Sequence, residues 1–135
     1  MSKKKLTPLI IALFVFVGAS AYWSCSGEKQ LFDIQTIGVQ TKMAGKEDVL
    51  LLDVRTPEEF DGPLGHLEGA KLIPLQELPQ RLDEIKSYKN KEIVVYCRSG
   101  GRSQRASQIL IDNGFRKVKN MVGGMRAWNE MLEKR

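Results

Sequence analysis

Cysteine and histidine are scarce in this sequence, which contains only Cys25, Cys97 and His66 among its 135 residues. Two cysteines are too few for the disulfide scaffold of a small secreted domain. A single histidine, together with the lack of any Cys-x-x-Cys pair, disfavours a metal site. We therefore expect neither a metal ion nor a cofactor.

Internal repeats and low-complexity segments are also lacking. The composition is ordinary for a globular protein, with 42% hydrophobic and 27% charged residues, which excludes a disordered chain. A length of 135 residues leaves room for one domain and little else.

A strong excess of positive charge is missing once the N-terminus is set aside. The net charge is +5, but Lys3, Lys4 and Lys5 are three of the 21 basic residues, so the rest of the chain carries 18 basic and 16 acidic residues. Nucleic-acid binding usually requires a clustered basic face. We expect no nucleic-acid partner.

The N-terminus has the pattern of an export signal. Three lysines at residues 3–5 precede an apolar stretch at residues 9–17, and residues 19–21 fit a small-x-small cleavage pattern. We expect export to the periplasm or cell envelope. The predicted organisation is a leader at residues 1–24, a short tether at residues 25–31 and a globular domain at residues 32–135.

Cys25 leaves the fate of this leader open. A bacterial lipoprotein signal also ends at a cysteine, which is then acylated; Ser24 fits the small residue required before it, whereas Tyr22 and Trp23 fit badly. The alternatives are cleavage and release, lipid anchoring at Cys25, and an uncleaved membrane anchor. We expect no disulfide between Cys25 and Cys97, because it would block the thiol that the loop after Cys97 is predicted to expose. Thiol counting on the mature protein tests this expectation, and zero free thiols would contradict it.

Strand and helix patterns alternate along the rest of the chain. Such an order, with strands that are continuously apolar, predicts an α/β domain with a mainly parallel sheet and helices on both faces. Predicted strands lie at residues 32–37, 49–54, 71–73, 92–96 and 118–121, and predicted helices at residues 39–44, 56–61, 78–85 and 103–112 and from Gly124 onward.

The helix patterns also predict a cap and the core-facing side chains. Thr56, Pro57 and Glu59 form a capping-box signature that is expected to start the second helix. The helical residues expected to face the core are Leu78, Leu82, Ile85, Ala106, Ile109, Leu110, Met125, Trp128 and Leu132.

Cys97 follows a buried strand and precedes a helix, with two arginines and two adjacent glycines around it. A helix N-terminus, guanidinium groups and the inward-turned N–H groups of a glycine-rich turn all favour a thiolate and attract anions. Cys97 is therefore the candidate nucleophile. The candidate anion-binding residues are Arg98, Ser99, Gly100, Gly101, Arg102 and Ser103, of which Ser103 has the alternative role of capping its helix.

Four segments resemble the rhodanese family of single-domain sulfurtransferases, in the same order along the chain. The resemblance covers residues 32–133, and one departure is a small insertion at residues 61–64. The matching segments are residues 51–60, residues 65–70 followed by Pro74, residues 95–103 and residues 122–128.

This resemblance implies a five-stranded parallel sheet and a ping-pong mechanism. Cys97 would take a sulfane sulfur from a small anionic donor such as thiosulfate, release sulfite, and pass the persulfide sulfur to cyanide or a thiol. Residues 97–102 would form the active-site loop, whose N–H groups hold the persulfide, while Arg102 helps to bind the donor. The supporting residues would be Asp53, Arg55, Glu59 and His66.

Two other functions remain as alternatives. A cysteine phosphatase also holds a thiolate among N–H groups, but it requires Cys-x5-Arg, and here Arg102 falls one position early. Tyr96 also stands where such phosphatases have a histidine. A non-catalytic persulfide carrier would keep the same cysteine, so the sequence does not separate it from an enzyme.

Overall fold

A computed structural model describes residues 31–135 of the chain. The predicted leader and almost all of the predicted tether lie outside these residues, and so does Cys25. The absence of a disulfide between Cys25 and Cys97 therefore stays a prediction. No helix within residues 31–135 is long and apolar enough to cross a membrane.

Five strands form one sheet in the order β1-β5-β4-β2-β3, and every pairing in it is parallel. This confirms the predicted α/β fold with a five-stranded parallel sheet. Because β4 is central, its carboxyl end lies between the ends of β5 and β2. The strands are β1 (Phe32–Ile34), β2 (Val49–Asp53), β3 (Lys71–Leu72), β4 (Glu92–Tyr96) and β5 (Lys117–Met121).

Helices cover both faces of the sheet, as predicted. The helices are α1 (Thr36–Ala44), α2 (Pro57–Phe60), α3 (Gly101–Asp112) and α4 (Gly124–Glu133), and two 3₁₀ segments cover Leu78–Gln80 and Leu82–Tyr88. Alternate side chains of β2 point to opposite faces: Leu50 and Leu52 join a core with α3 and the 3₁₀ segments, whereas Leu51 joins a core with α1 and α4.

The start of α2 confirms the predicted capping box. The Thr56 hydroxyl accepts the Glu59 N–H at 3.3 Å, and the Glu59 carboxylate accepts the Thr56 N–H at 3.2 Å. This exchange satisfies two N–H groups at the helix terminus and fixes the direction of the Glu59 side chain. In this direction the Glu59 carboxylate reaches Arg102 of the active-site loop.

Two predicted elements, the first strand and the helix after Cys97, were wrong in extent. The first strand ends at Ile34 rather than at residue 37, because α1 already begins at Thr36. The helix predicted from Ser103 begins at Gly101, so the loop and the first turn of α3 share residues.

The prediction of an α-helix at residues 78–85 was also wrong, and so was the prediction that Leu132 faces the core. Arg81 leaves the helical region, with φ −115° and ψ 13°, and divides this stretch into the two 3₁₀ segments. Leu78 and Ile85 are nevertheless buried, so the apolar spacing predicted burial better than conformation. Leu132 lies in the last turn of α4 and is 44% exposed instead of facing the core.

Candidate active site

The active-site loop, residues 97–102, joins the central strand β4 to α3. Gly100 is the N-cap of α3 and has φ +109°, a left-handed conformation that glycine adopts without strain. This turn directs the Gly100 N–H to the Cys97 Sγ at 3.1 Å. The sulfur is therefore held at the N-terminus of a twelve-residue helix.

The Cys97 side chain is covered rather than exposed, with 1% of its surface accessible. Burial by itself would raise the pKa of the thiol. Hydrogen bonds from the Ser103 hydroxyl and from the N–H groups of Ser103, Gly100 and Ser99 outweigh burial, so the pKa of Cys97 lies below its usual value. The loop thus favours the thiolate mainly through hydrogen-bond donors.

Arg102 makes a bidentate ion pair with Glu59, which lies 43 residues earlier in the chain. Each terminal guanidinium nitrogen is 2.6 Å from one carboxylate oxygen. The hydrogen bond from Arg102 is the main cause that lowers the pKa of Glu59 to about 2. Glu59 therefore stays ionised at neutral pH, and the loop is fixed to α2. The implied role of Arg102 in donor binding stays a prediction.

Asp53 and Arg55 form a buried ion pair behind the loop, with 0% and 1% exposure. The Arg55 Nη2 donates to Asp53 at 2.6 Å and to the Gly65 carbonyl at 2.7 Å. Arginine partners thus occupy both carboxylates near the loop, Asp53 and Glu59. No group of three or more potential metal ligands lies together within residues 31–135.

The N-terminus of α4 contacts the back of the loop. The Met125 N–H donates to the Cys97 carbonyl at 2.9 Å, and the Arg126 N–H donates to the Arg98 carbonyl at 3.1 Å. Gly124 lies so close to both carbonyls that a Cβ there would collide with them. These contacts hold the loop carbonyls away from the sulfur.

Comparison with known proteins agrees with this geometry. The sequence model of the family described as "Rhodanese-like domain" matches residues 38–131, which is more than half of the chain. The chain belongs to the rhodanese-like family. Its relatives include a sulfurtransferase of Allochromatium vinosum, 38% identical over 71% of this chain and 86% of that protein.

A second sequence relative and a solved structure are also similar to this rhodanese-like chain. The Bacillus subtilis protein YqhL is 36% identical over 92% of this chain and 95% of its own. The crystal structure of a rhodanese-like domain protein from Staphylococcus aureus has a TM-score of 0.62 at 35% identity, covering 72% of this chain and 90% of that one. The sulfurtransferases among the relatives of this chain support a transferase of the rhodanese type.

The structure brings most of the predicted site residues of this rhodanese-like domain together. Glu59 reaches the loop through Arg102, and Asp53 and Arg55 lie behind it. His66 is different: its ring stacks on Phe60 with centroids 3.6 Å apart, and its Nδ1 lies 2.9 Å from the Phe60 carbonyl. These contacts, which use the ring face and the Nδ1, support a structural role for His66.

Asn120 and Asp33 were missed by sequence reasoning. The Ser103 hydroxyl lies 2.6 Å from the Asn120 Oδ1, and the Asn120 amide donates to the Asp33 carboxylate at 3.0 Å. Ser103 is the third residue of α3, so it is not the helix cap. The available signal was Asn120 itself, a polar residue in the strand predicted at residues 118–121.

Ser103→Ala is expected to shift the pH profile of Cys97 alkylation by iodoacetamide to higher pH. The Ser103 hydroxyl lies 3.5 Å from the Sγ and has one proton, for which the Gly100 carbonyl at 2.9 Å and the Asn120 Oδ1 at 2.6 Å compete. Its loss should lower the alkylation rate at neutral pH about three- to tenfold, the effect of losing one hydrogen bond of ordinary net strength. The matched control is Ser107→Ala, one turn later, whose hydroxyl donates to the Ser103 carbonyl. Equal profiles for both variants would contradict the role of Ser103.

Proposed function

We propose that this protein is a sulfurtransferase that carries a sulfane sulfur on Cys97, from a donor such as thiosulfate to cyanide or a thiol acceptor. The observation that carries the proposal is a covered sulfur surrounded by N–H and O–H donors, with a lowered thiol pKa. This arrangement stabilises negative charge on a sulfur atom, which both the thiolate and the persulfide require.

The chemistry needs no external oxidant or reductant. The Cys97 thiolate attacks the outer sulfur of thiosulfate, the sulfur–sulfur bond of the donor breaks, and sulfite leaves with the electron pair. The negative charge of the new persulfide rests on its terminal sulfur, one bond beyond the Sγ that the Gly100 N–H contacts. A thiolate or cyanide then attacks that sulfur, and Cys97 leaves as a thiolate.

The loop length and Arg102 favour sulfur transfer over phosphate chemistry. A cysteine phosphatase needs an arginine that grips the phosphate from the sixth position after the cysteine, whereas here Arg102 is at the fifth. Both terminal nitrogens of Arg102 already bind Glu59. An arginine engaged in this way is poorly placed to grip a phosphate.

Mass spectrometry after incubation with thiosulfate tests the proposal. We expect Cys97 to gain one sulfur atom and to lose it again when cyanide is added, with thiocyanate formed in repeated turnovers. A gain of sulfur without turnover would favour a persulfide carrier. A protein that gains no sulfur but hydrolyses an aryl phosphate would be a phosphatase.

Arg98→Ala and Arg102→Ala are expected to fail in different ways. Arg98 is exposed and has no ion-pair partner within residues 31–135, so its loss should raise the KM for thiosulfate about tenfold and leave alkylation by neutral iodoacetamide nearly unchanged. Arg102→Ala should lower both thiosulfate use and alkylation, because it frees the loop from Glu59. Steady-state kinetics and alkylation rates separate the two variants, and identical effects would contradict this division of roles.

The proposal includes export to the cell envelope, on the strength of the lysines at residues 3–5 and the apolar residues 9–17 alone. Cleavage and release, acylation at Cys25 and an uncleaved anchor predict different masses and different partitioning into detergent. The mass of the mature chain from fractionated cells distinguishes them, and a full-length soluble cytoplasmic chain would contradict export.

A further inference from the structure

A row of polar side chains leads from the covered sulfur to an exposed carboxylate at the edge of the sheet. The Ser103 Oγ lies 3.5 Å from the Cys97 Sγ and 2.6 Å from the Asn120 Oδ1, and the Asn120 Nδ2 donates to Asp33 at 3.0 Å. Ser103 and Asn120 are buried, whereas Asp33 is exposed on the edge strand β1. We call these four residues the polar chain.

Asp33 fixes the direction in which the Asn120 amide faces. The two residues are paired in the parallel register of β1 and β5, so their side chains meet on one face of the sheet. An ionised carboxylate only accepts hydrogen bonds, whereas an amide group has a donating nitrogen and an accepting oxygen. Half a turn of the amide would put its oxygen against the carboxylate. The Asn120 oxygen therefore faces Ser103, and the hydroxyl is the donor between them.

The single proton of the Ser103 hydroxyl has three acceptors within reach. The Asn120 Oδ1 is at 2.6 Å, the Gly100 carbonyl at 2.9 Å and the Cys97 Sγ at 3.5 Å. The amide oxygen thus draws the proton away from the sulfur. With its nitrogen facing Ser103, Asn120 would instead donate to the hydroxyl oxygen and leave the proton to the other two acceptors.

The charged side chains near the loop and β5 do not take part in this arrangement. Within residues 31–135 none of them hydrogen-bonds to the side chain of the serine or the asparagine of the polar chain. Asp33 is therefore the one charged group in contact with the amide in this part of the chain. The ion pairs are Arg102–Glu59, Arg55–Asp53 and Lys119–Glu92, and the exposed arginines of the loop, α3 and α4 are Arg98, Arg105 and Arg126.

The Cys97 sulfur needs two different environments during sulfur transfer. The Sγ is a thiolate before it attacks and after it leaves, and it is a neutral bridging sulfur within the persulfide. A hydroxyl that rotates between the Sγ and Asn120 finds an acceptor in both states and keeps its own proton throughout.

We propose that Asp33 is a positioning residue, which through Asn120 directs the Ser103 hydroxyl and so limits how strongly the Cys97 thiolate is stabilised. This inference rests on the proposed function, in which the same sulfur is first a nucleophile and later a leaving group. A more strongly stabilised thiolate is a weaker nucleophile and a better leaving group. The polar chain sets the balance between the two steps.

Asp33→Asn in the full chain tests this role, with the pH profile of iodoacetamide alkylation followed on the Cys97 peptide by mass spectrometry. The new side chain offers a donor as well as an acceptor, so the Asn120 amide can turn and release the Ser103 proton to the sulfur. We expect the rate below neutral pH to rise about three- to tenfold, the effect of gaining one hydrogen bond. The plateau at high pH should not exceed that of wild type, because the thiolate becomes a weaker nucleophile.

This pattern separates positioning from damage to the fold. A loosened loop that exposed the sulfur would raise the rate at every pH, and a distorted one would shift the profile to higher pH; either result would overturn the inference, as would an unchanged profile. Asp33→Ala is the second variant, since it leaves the amide without its carboxylate partner and should shift the profile in the same direction.

The charge that Asp33→Asn removes requires its own control. The same substitution is made in Ser103→Ala protein, which has no hydroxyl to direct, and there we expect no shift. A shift of equal size in both backgrounds would mean that the carboxylate acts through space, and it would overturn the inference. The matched variant is Asp112→Asn, which removes an exposed carboxylate from the far end of α3 and should keep the wild-type profile.

Alkylation and sulfur transfer fail independently in these measurements. Iodoacetamide reports the thiolate without any sulfur donor, so the polar chain is tested even if wild type gains no sulfur from thiosulfate. Conversely, a wild-type protein that gains sulfur, together with an unshifted Asp33→Asn profile, would retain the proposed function and overturn the role of Asp33.

Discussion

Cys97→Ser is expected to abolish the gain of sulfur from thiosulfate and to lower turnover at least about a thousandfold. A serine oxygen is a poor nucleophile toward sulfane sulfur and cannot form a persulfide. The substitution keeps an acceptor for the Gly100 N–H, now 3.1 Å from the sulfur, so the loop should keep its shape. Mass spectrometry of the intact protein and thiocyanate formation measure the loss.

Thermal unfolding provides the control for this variant. Cys97 lies in the core that packs against α3, and serine is smaller and more polar, so we expect a modest loss of stability with the fold retained. If the Cys97→Ser protein still gained sulfur, the persulfide would have to form on another residue. Cys25 is the only other cysteine in the sequence.

Gly124→Ala is expected to lower the reactivity of Cys97 about a hundredfold, the scale of effect when a reacting group is misplaced by about 1 Å. The new Cβ would collide with the carbonyls of Cys97 and Arg98, which α4 otherwise holds through two N–H groups. Displacing these carbonyls turns the neighbouring N–H groups away from the sulfur. The pH profile of alkylation should shift to higher pH, because the thiolate loses hydrogen bonds.

Gly69→Ala separates this collision from backbone strain. Gly69 has φ +75° and Gly124 has φ +56°, so alanine is strained at both positions, at about 1–2 kcal/mol each. A Cβ on Gly69 meets no atom within 4 Å in the part of the chain that the structure describes. Both variants should lose stability, and only Gly124→Ala should change the pH profile. Equal profiles would mean that α4 does not position the loop.

The sequence predicted the fold well where the signals were local. The apolar run of β4 and the capping box at Thr56 depend on neighbouring residues, and the structure has both close to where they were predicted. The 3₁₀ segments were not predicted, because the apolar spacing of Leu78 and Ile85 satisfies burial in more than one helical conformation.

The sequence predicted which residues belong to the site, but it did not predict which of them contact each other. Arg102 and Glu59 are 43 residues apart and meet because β4 lies beside β2 in the sheet. Charge alone gave no means of choosing between Arg98 and Arg102 for the anion. Within residues 31–135 the structure separates them, since Arg102 is ion-paired and Arg98 is not.

Burial of the thiol was the largest difference at the site. The glycine pair and the arginines indicated an exposed sulfur, whereas Cys97 is almost completely covered. Cys97 packs in a core with α3, Ser103 reaches the sulfur from the first turn of that helix, and Gly124 allows α4 to approach the loop closely. Residue type alone does not show how near two helices will come.

The covered sulfur also restricts the size of what can react with it. A disulfide between two protein molecules requires their Cα atoms to approach within about 4.4–6.8 Å. Cys97 is 1% exposed, so another folded protein of ordinary surface shape cannot bring its own cysteine that close. The loop thus protects its thiol from cross-linking in oxidising surroundings, and it leaves access to small molecules and to thin, extended segments of a partner.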